Sequence, residues 1–236
     1  MKKLFKILGI TIGIVLFIFI LGIFTLNFVD TDDYIKPAFN ENYWINAGIE
    51  IYISISQILD QHKKEIDSGI YYKKLVRGNT DLKEIAITFD DGPHEGTTHE
   101  ILEILKEKNV KATFFVIGKM AEKYPDLIAQ EFKEGHCIGN HTYHHVNMTK
   151  VPLDYIAIEI KACGDIVKSI TGIRPNTFRP PGGQYNKDVA EIANMLGYTL
   201  ILWNDDPGDY ASPGNDVIKE RILKYKIGRA SCRERV

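Results

Sequence analysis

Two adjacent carboxylates, Asp90 and Asp91, close the stretch Thr88-Phe89-Asp90-Asp91-Gly92-Pro93, where an apolar run stops at a turn. The run Ile85-Ala86-Ile87-Thr88-Phe89 has the composition of a strand buried in a parallel sheet, and Gly92-Pro93 supplies the turn that ends it. The acids therefore sit at a strand's carboxyl edge. In βα architectures ligands and catalytic groups collect there, because the loops vary while the strands hold them rigidly. An acid pair so placed can hold a cation or take a proton, although taken alone it reads more simply as a solvated turn. A second stretch, His141-Thr142-Tyr143-His144-His145, sets two imidazoles four residues apart, so a helical turn would stack them facing one ion. The plainer reading of that pair is an exposed histidine-rich turn. A third, Phe178-Arg179-Pro180-Pro181-Gly182-Gly183, puts a cation before stiff prolines and a glycine pair that lets backbone approach closely; by itself it is an ordinary loop. Three such stretches in this order, each after a β-like run, point to one site rather than three turns.

On these residues the sequence resembles the NodB-like polysaccharide deacetylases, carbohydrate esterase family 4, from about Glu84 to about Arg221. TFDDGP, HTYHH and FRPPGG are similar to the family's first three motifs, and Trp203-Asn204-Asp205-Asp206-Pro207-Gly208-Asp209-Tyr210 to its fourth. There are two departures. The third motif often carries Tyr or Trp where Gly182 stands, and the fourth commonly ends in Trp where Tyr210 stands. The fifth motif, a Leu-x-His, is absent from these residues.

The resemblance implies one divalent metal ion on Asp91, His141 and His145, zinc first, with cobalt, nickel or manganese as alternatives. Such an ion lowers the pKa of a bound water to about 7. It further implies Asp90 as general base, Arg179 holding that carboxylate ionised and oriented, and the Gly182 backbone N–H as donor to the developing oxyanion. Asp209 matches the residue that orients the fifth-motif histidine, while Thr142, Trp203 and Asp206 support the site from behind. His94, His99, His136 and His144 match no motif and read as surface or turn residues. The implied activity is N-deacetylation of cell-surface amino sugars, N-acetylglucosamine or N-acetylmuramic acid of peptidoglycan. A polysaccharide O-acetyl esterase and a non-catalytic glycan-binding relic remain alternatives.

The elements that must position these residues alternate strand with helix. Thr97 to Glu100 reads as a capping box opening a helix with Ile101, Leu102, Ile104 and Leu105 on one face. Ala112 to Ile117 is a strand, Pro125 to Phe132 a helix closed by Gly135, and His136 to Gly139 a strand delivering His141. Pro152 to Ile170 is a long helix ended by Gly172, Thr177 to Arg179 a strand, Asn186 to Leu196 a helix ended by Gly197, and Tyr198 to Trp203 a strand. Five strands in this alternation argue for an α/β fold, a βα barrel with one functional rim; the resemblance implies a distorted (β/α)7-type barrel, here expected to be incomplete at the C-terminus and preceded by one transmembrane helix. Between anchor and barrel, Ile49, Ile51, Ile53 and Ile55 alternate like a strand while Ile51, Ile55, Ile58, Leu59 and Ile66 fit a helical face; helix is preferred.

The ends differ from the middle. After Lys2, Lys3 and Lys6 the segment 7–28 carries no charge for 22 residues, which as a helix spans about 33 Å, enough for a bilayer core. Asp30, Asp32 and Asp33 follow it, so the N-terminus is expected in the cytoplasm and the rest outside, in a bacterial cell membrane. A cleaved signal peptide fits less well, because the apolar run is long and no small-x-small site ends it. Residues 227–236 match the translation of a common sequencing-adapter oligonucleotide and are set aside as an artefact. The expected division is a stub and anchor over 1–28, a linker over 29–80, the catalytic domain over 81–226, and the artefact. A charge of −2 with 25% charged residues gives no reason for nucleic-acid binding; the resemblance implies an envelope polysaccharide as partner, and the apolar segment implies the membrane. Cys137 and Cys163 read as small buried thiols with no disulfide between them.

Overall fold

The computed structural model of the chain describes residues 52–79, 81–82 and 84–224. The expected anchor and the last ten residues lie outside these, and among the described residues no helix is long and apolar enough to cross a membrane.

Six short strands form one wholly parallel sheet: β1 (Lys74–Leu75), β2 (Thr88–Asp90), β3 (Thr113–Val116), β4 (Cys137–Asn140), β5 (Thr177–Phe178) and β6 (Thr199–Ile201), in the order β1-β6-β5-β4-β3-β2. Parallel neighbours cannot be joined by a tight turn, and helices carry the returns. These are α2 (Thr97–Glu107), α3 (Gly118–Lys123) with α4 (Pro125–Lys133), α5 (Leu153–Thr171) and α6 (Lys187–Met195), flanked by α1 (Ile55–Asp67) and α7 (Asn215–Lys224). The register decides where the chemistry lands. Asp90 pairs with Phe115, Val116 with Asn140, Asn140 with Phe178, and Phe178 with Leu200. The residues just beyond those rows, Asp91, His141 and Arg179, therefore leave the sheet at one rim.

The core lies between sheet and helices. Phe178, Leu200 and Tyr198 from the sheet side meet Ile156 and Ile160 of α5 and Val189, Ala190 and Ala193 of α6, all essentially excluded from water. Each large side chain so buried is worth about 1.5–3 kcal/mol. The long helix α5 ends at Gly172, whose φ of 78° is the left-handed stop that glycine adopts without strain.

Several expectations are corrected. The segment expected as a linker is built into the fold: Ser54 caps α1 in a reciprocal box with Gln57, Ile58 is fully buried, and β1 pairs with β6. Among the described residues there are thus six strands rather than five. The capping box at Thr97 does not form; Gly96 is the cap residue, and Thr98 Oγ1 instead accepts the His94 N–H at 2.7 Å. Helix α3 was not foreseen, because its short, mixed sequence GKMAEK carries no period. Cys137 is exposed, not buried, because it opens β4 at the far end of the sheet from the rim. Among the described residues the barrel-like sheet is open between its edges β1 and β2, and a cavity of about 110 Å³ lined by Leu75, Val76, Thr88 and Arg179 occupies that seam.

Candidate metal and catalytic site

Successive residues of a strand point to opposite faces, so Asp90 and Asp91 cannot share one task by continuing β2. Asp91 breaks the alternation with a φ of 74°. Asp90 stays in the strand, 1% exposed, under the sheet's rim. Asp91 turns its Oδ1 to 3.2 Å from His141 Nε2 and 3.0 Å from His145 Nε2. One ligand atom from each of the three residues lies within 4.8 Å of the others.

The two histidines do not stand on a helical turn, contrary to the spacing argument. Thr142 and His145 are both left-handed, with φ of 68° and 61°. Such backbone costs of order 1–3 kcal/mol per residue, so the surroundings must hold it. They do so from several sides. Asn140 Oδ1 accepts the Thr142 N–H at 2.9 Å while Asn140 Nδ2 donates to the Ile160 carbonyl at 2.7 Å. Thr142 Oγ1 accepts the His145 N–H at 2.9 Å within the loop. The Thr142 carbonyl accepts the Gly118 N–H at 2.9 Å; a Cβ on Gly118 would lie 2.7 Å from the Tyr143 ring.

A backbone carbonyl fixes the tautomer of His141. Its Nδ1 lies 2.7 Å from the Arg179 oxygen, which can only accept, so Nδ1 carries the proton and Nε2 presents a lone pair. That lone pair faces Asp91 Oδ1, another acceptor. Both atoms are buried and form no hydrogen bond. Two acceptors 3.2 Å apart repel unless a proton or a cation lies between them. Burial pushes the Asp91 carboxyl up, but the neighbouring His141 and His145, acting as donors and charges when protonated, outweigh it and hold the carboxyl well below the usual range. Two imidazole nitrogens and one carboxylate oxygen are the donor set of open-sided zinc sites, and these residues fit a divalent ion of that class.

Beside the triangle, Arg179 Nη1 donates to Asp90 Oδ1 at 2.6 Å and to Thr88 Oγ1 at 2.8 Å, and Nε donates to the Ile201 carbonyl at 3.2 Å. The guanidinium lies 4.1 Å from the Phe115 ring centroid and 5.6 Å from that of Trp203. Trp203 in turn packs on Gly183, where an added Cβ would come within 2.6 Å of the indole. Gly182 is left-handed at φ 63°, and its carbonyl accepts the Ile53 N–H at 3.2 Å. Asp206 and Asp209 each give an oxygen to their own loop, to the N–H of Gly208 at 2.8 Å and of Tyr210 at 3.1 Å. Neither belongs to the Asp91–His141–His145 triangle. Tyr210 stacks on Tyr52, with centroids 4.7 Å apart.

The unassigned histidines divide. His99 is exposed beside Glu103, as expected. His136 is a buried structural residue, 5% exposed, accepting the Ala112 N–H on Nδ1. His144 leads to a residue the motif reading passed over. Glu159, in the middle of α5 and fully excluded from water, accepts the N–H of Tyr143 at 3.1 Å and of His144 at 2.9 Å on Oε2, and meets His144 Nδ1 at 2.7 Å on Oε1. One signal could have found it: a lone charge within the otherwise apolar buried stripe Ile156, Ile160, Cys163, Val167.

The polysaccharide deacetylase family model matches residues 77–201. A peptidoglycan-N-acetylglucosamine deacetylase of Bacillus cereus is 37% identical over 152 residues, 64% of this chain and 55% of that protein, so the chain spans about half the length of that relative. The fold is similar to the crystal structure of the Bc1960 peptidoglycan N-acetylglucosamine deacetylase, with a TM-score of 0.67 and 33% identity over 72% of this chain and 78% of the other. It is also similar to a Bacillus anthracis protein described as a family 4 pseudoenzyme, with a TM-score of 0.65 and 27% identity over 70% and 59% of the two chains.

Proposed function

The chain belongs to the polysaccharide deacetylase family, and from that premise we propose that it hydrolyses the N-acetyl groups of amino sugars in peptidoglycan, N-acetylglucosamine first and N-acetylmuramic acid second, with a divalent ion, zinc foremost. The observation that carries the reading is the adjacency of two differently used carboxylates: Asp91 in a triangle with His141 and His145, and Asp90 held by Arg179 at 2.6 Å. A pair split in this way separates the binding of a cation from the transfer of a proton.

Asp91, His141 and His145 would hold the ion, whose chemistry is to polarise a carbonyl and acidify a bound water. Asp90 takes the proton that leaves the attacking water; Arg179 occupies its Oδ1, which leaves the other oxygen for that proton. The Gly182 backbone N–H is offered as donor to the amide oxygen as it gains negative charge, a role that needs no side chain and so tolerates glycine here. Water adds to the acetyl carbon, the departing nitrogen takes up the proton that Asp90 received as the carbon–nitrogen bond breaks, and acetate and a free amine leave. On the charge pattern around residues 7–28 we place the domain outside the cytoplasm on a single-pass anchor.

A second reading, glycan binding without catalysis, is favoured by the likeness to the pseudoenzyme. Incubation of the zinc-loaded chain and its Asp90→Asn variant with N-acetylated and, separately, O-acetylated peptidoglycan decides among these. Acetate and new amines in step from the first polymer, absent with the variant, support the N-deacetylase. Acetate from O-acetylated polymer alone supports an esterase, and retention of either polymer without acetate supports binding.

A further inference from the structure

We propose that Glu159 is the positioning residue of this site: from the middle of α5 its carboxylate clamps the loop between the two histidines and thereby sets the His145 imidazole against Asp91. The inference rests on the metal-binding part of the proposed function and names a residue outside its motifs.

Three observations converge. Glu159 is a carboxylate with no exposure at all, in a stripe that otherwise buries apolar side chains. A charge in such a place persists only if its oxygens are satisfied, and here the satisfying groups are the Tyr143 N–H at 3.1 Å, the His144 N–H at 2.9 Å and the His144 ring at 2.7 Å. These groups belong to the two residues lying between left-handed Thr142 and left-handed His145. A loop holding two such residues does not keep its shape unaided. Thr142 Oγ1 fixes the His145 N–H from within the loop, the Gly118 and Lys119 N–H groups donate to the Thr142 and Tyr143 carbonyls at 2.9 Å, and Glu159 takes the N–H groups of the two residues in between, Tyr143 and His144. The scaffold is rigid at that point. Glu159 is followed by fully buried Ile160, whose carbonyl takes the Asn140 side chain at 2.7 Å, so one turn of α5 braces both ends of the His141–His145 loop.

The test uses the full chain and the metal alone. Zn²⁺ affinity by competition with a chromogenic chelator, and the visible spectrum of the Co²⁺-loaded protein, are measured for wild type, Glu159→Gln, Glu159→Asp and Glu159→Ala. Val167→Ala, a truncation elsewhere in α5, serves as the stability control. Gln keeps an oxygen at the same reach for both N–H groups, so its affinity should stay within about 3-fold of wild type with the same Co²⁺ spectrum. Asp keeps the charge but withdraws it by one methylene; it and Ala should bind about 10- to 100-fold more weakly, the usual range for groups that orient a ligand, with an altered spectrum. If Ala does not fold, the Gln–Asp contrast still decides. Asp equal to or better than Gln would overturn the clamp, as would a Val167→Ala chain that loses as much affinity. A wild-type chain that takes up no divalent ion overturns the metal reading along with it, an outcome distinct from either.

Discussion

Arg179 reaches the site with both its ends: the backbone carbonyl takes the His141 Nδ1 proton at 2.7 Å, and the guanidinium holds Asp90 at 2.6 Å. One residue thus fixes the His141 tautomer on one side of the rim and the proposed base on the other. The coupling has a structural origin. Phe178 is the last residue of β5, and the Arg179 N–H donates to Asn140 at the end of β4, so the peptide that carries Arg179 is pinned beside His141 by the sheet itself.

Because the two functions use different atoms, substitution should separate them. Arg179→Met leaves Asp90 buried and unpaired while keeping the carbonyl that His141 needs. Removing one partner of a buried pair costs about 3–5 kcal/mol, so urea denaturation should show a loss of that order. Zinc stoichiometry at saturation should stay at one. A loss below about 1 kcal/mol would show that Asp90 does not depend on the Arg179 pairing, and an empty site would show that the two ends are not independent.

The cysteines give a test of burial and pH. Cys163 is fully buried in α5, and desolvation pushes its thiol from 9.0 up to about 12. The folded chain therefore keeps a proton that the unfolded chain loses, so its contribution to stability falls as pH rises between those two values. Cys137 is exposed. In a chain carrying Cys232→Ser, a disulfide reagent at pH 8 should modify one thiol quickly and a second only on unfolding. Cys163→Ala should flatten the decline of stability above pH 9. Two fast thiols in the native chain would contradict the packing of α5.

The legible part of the site was the part written in local sequence. Strand ends with chemistry-bearing residues beyond them placed Asp91, His141 and Arg179 on one rim, because a parallel sheet leaves its carboxyl ends together whatever the loops do. The conformation of the histidine loop was not legible. Spacing of four suggests a helical turn, but Thr142 and His145 take left-handed backbone because adjacent Asn140 and, from other elements, Gly118 and Glu159 hold the loop. The role of Glu159 was illegible for the same reason: its place in the apolar stripe of α5 marks it as unusual, but only the folded chain brings the Tyr143 and His144 N–H groups to it. β1 escaped because two residues carry no period, and only the partner β6 makes Lys74–Leu75 a strand.

Asp90 and Asp91 should fail in different ways. Asp90→Asn removes the proton acceptor and retains a neutral side chain able to contact Arg179, so acetate release should fall by roughly 10²- to 10⁴-fold with zinc content unchanged. Asp91→Asn should lose zinc first. The comparison needs metal analysis and acetate release on the same preparations. Zinc lost from the Asp90 variant would move that residue into the ligand set.

The proposed metal site on Asp91, His141 and His145 makes a thermal prediction that does not depend on catalysis. An ion that binds only the folded chain stabilises it by about 2.7 kcal/mol when present at a hundredfold excess over its dissociation constant. For domains of 150–250 residues each kcal/mol raises the melting temperature by about 2–4 °C, so zinc should raise it by roughly 5–11 °C and a chelator should return it. His141 is fully buried with its tautomer set by Arg179, and its Nε2 faces Asp91 at 3.2 Å. His141→Ala should therefore abolish the zinc-induced shift, as should His145→Ala, whereas Asp90→Asn should keep it. A full shift in the His141 variant would mean that the ion stabilises the chain from some other site, and the three-residue assignment would fall with it.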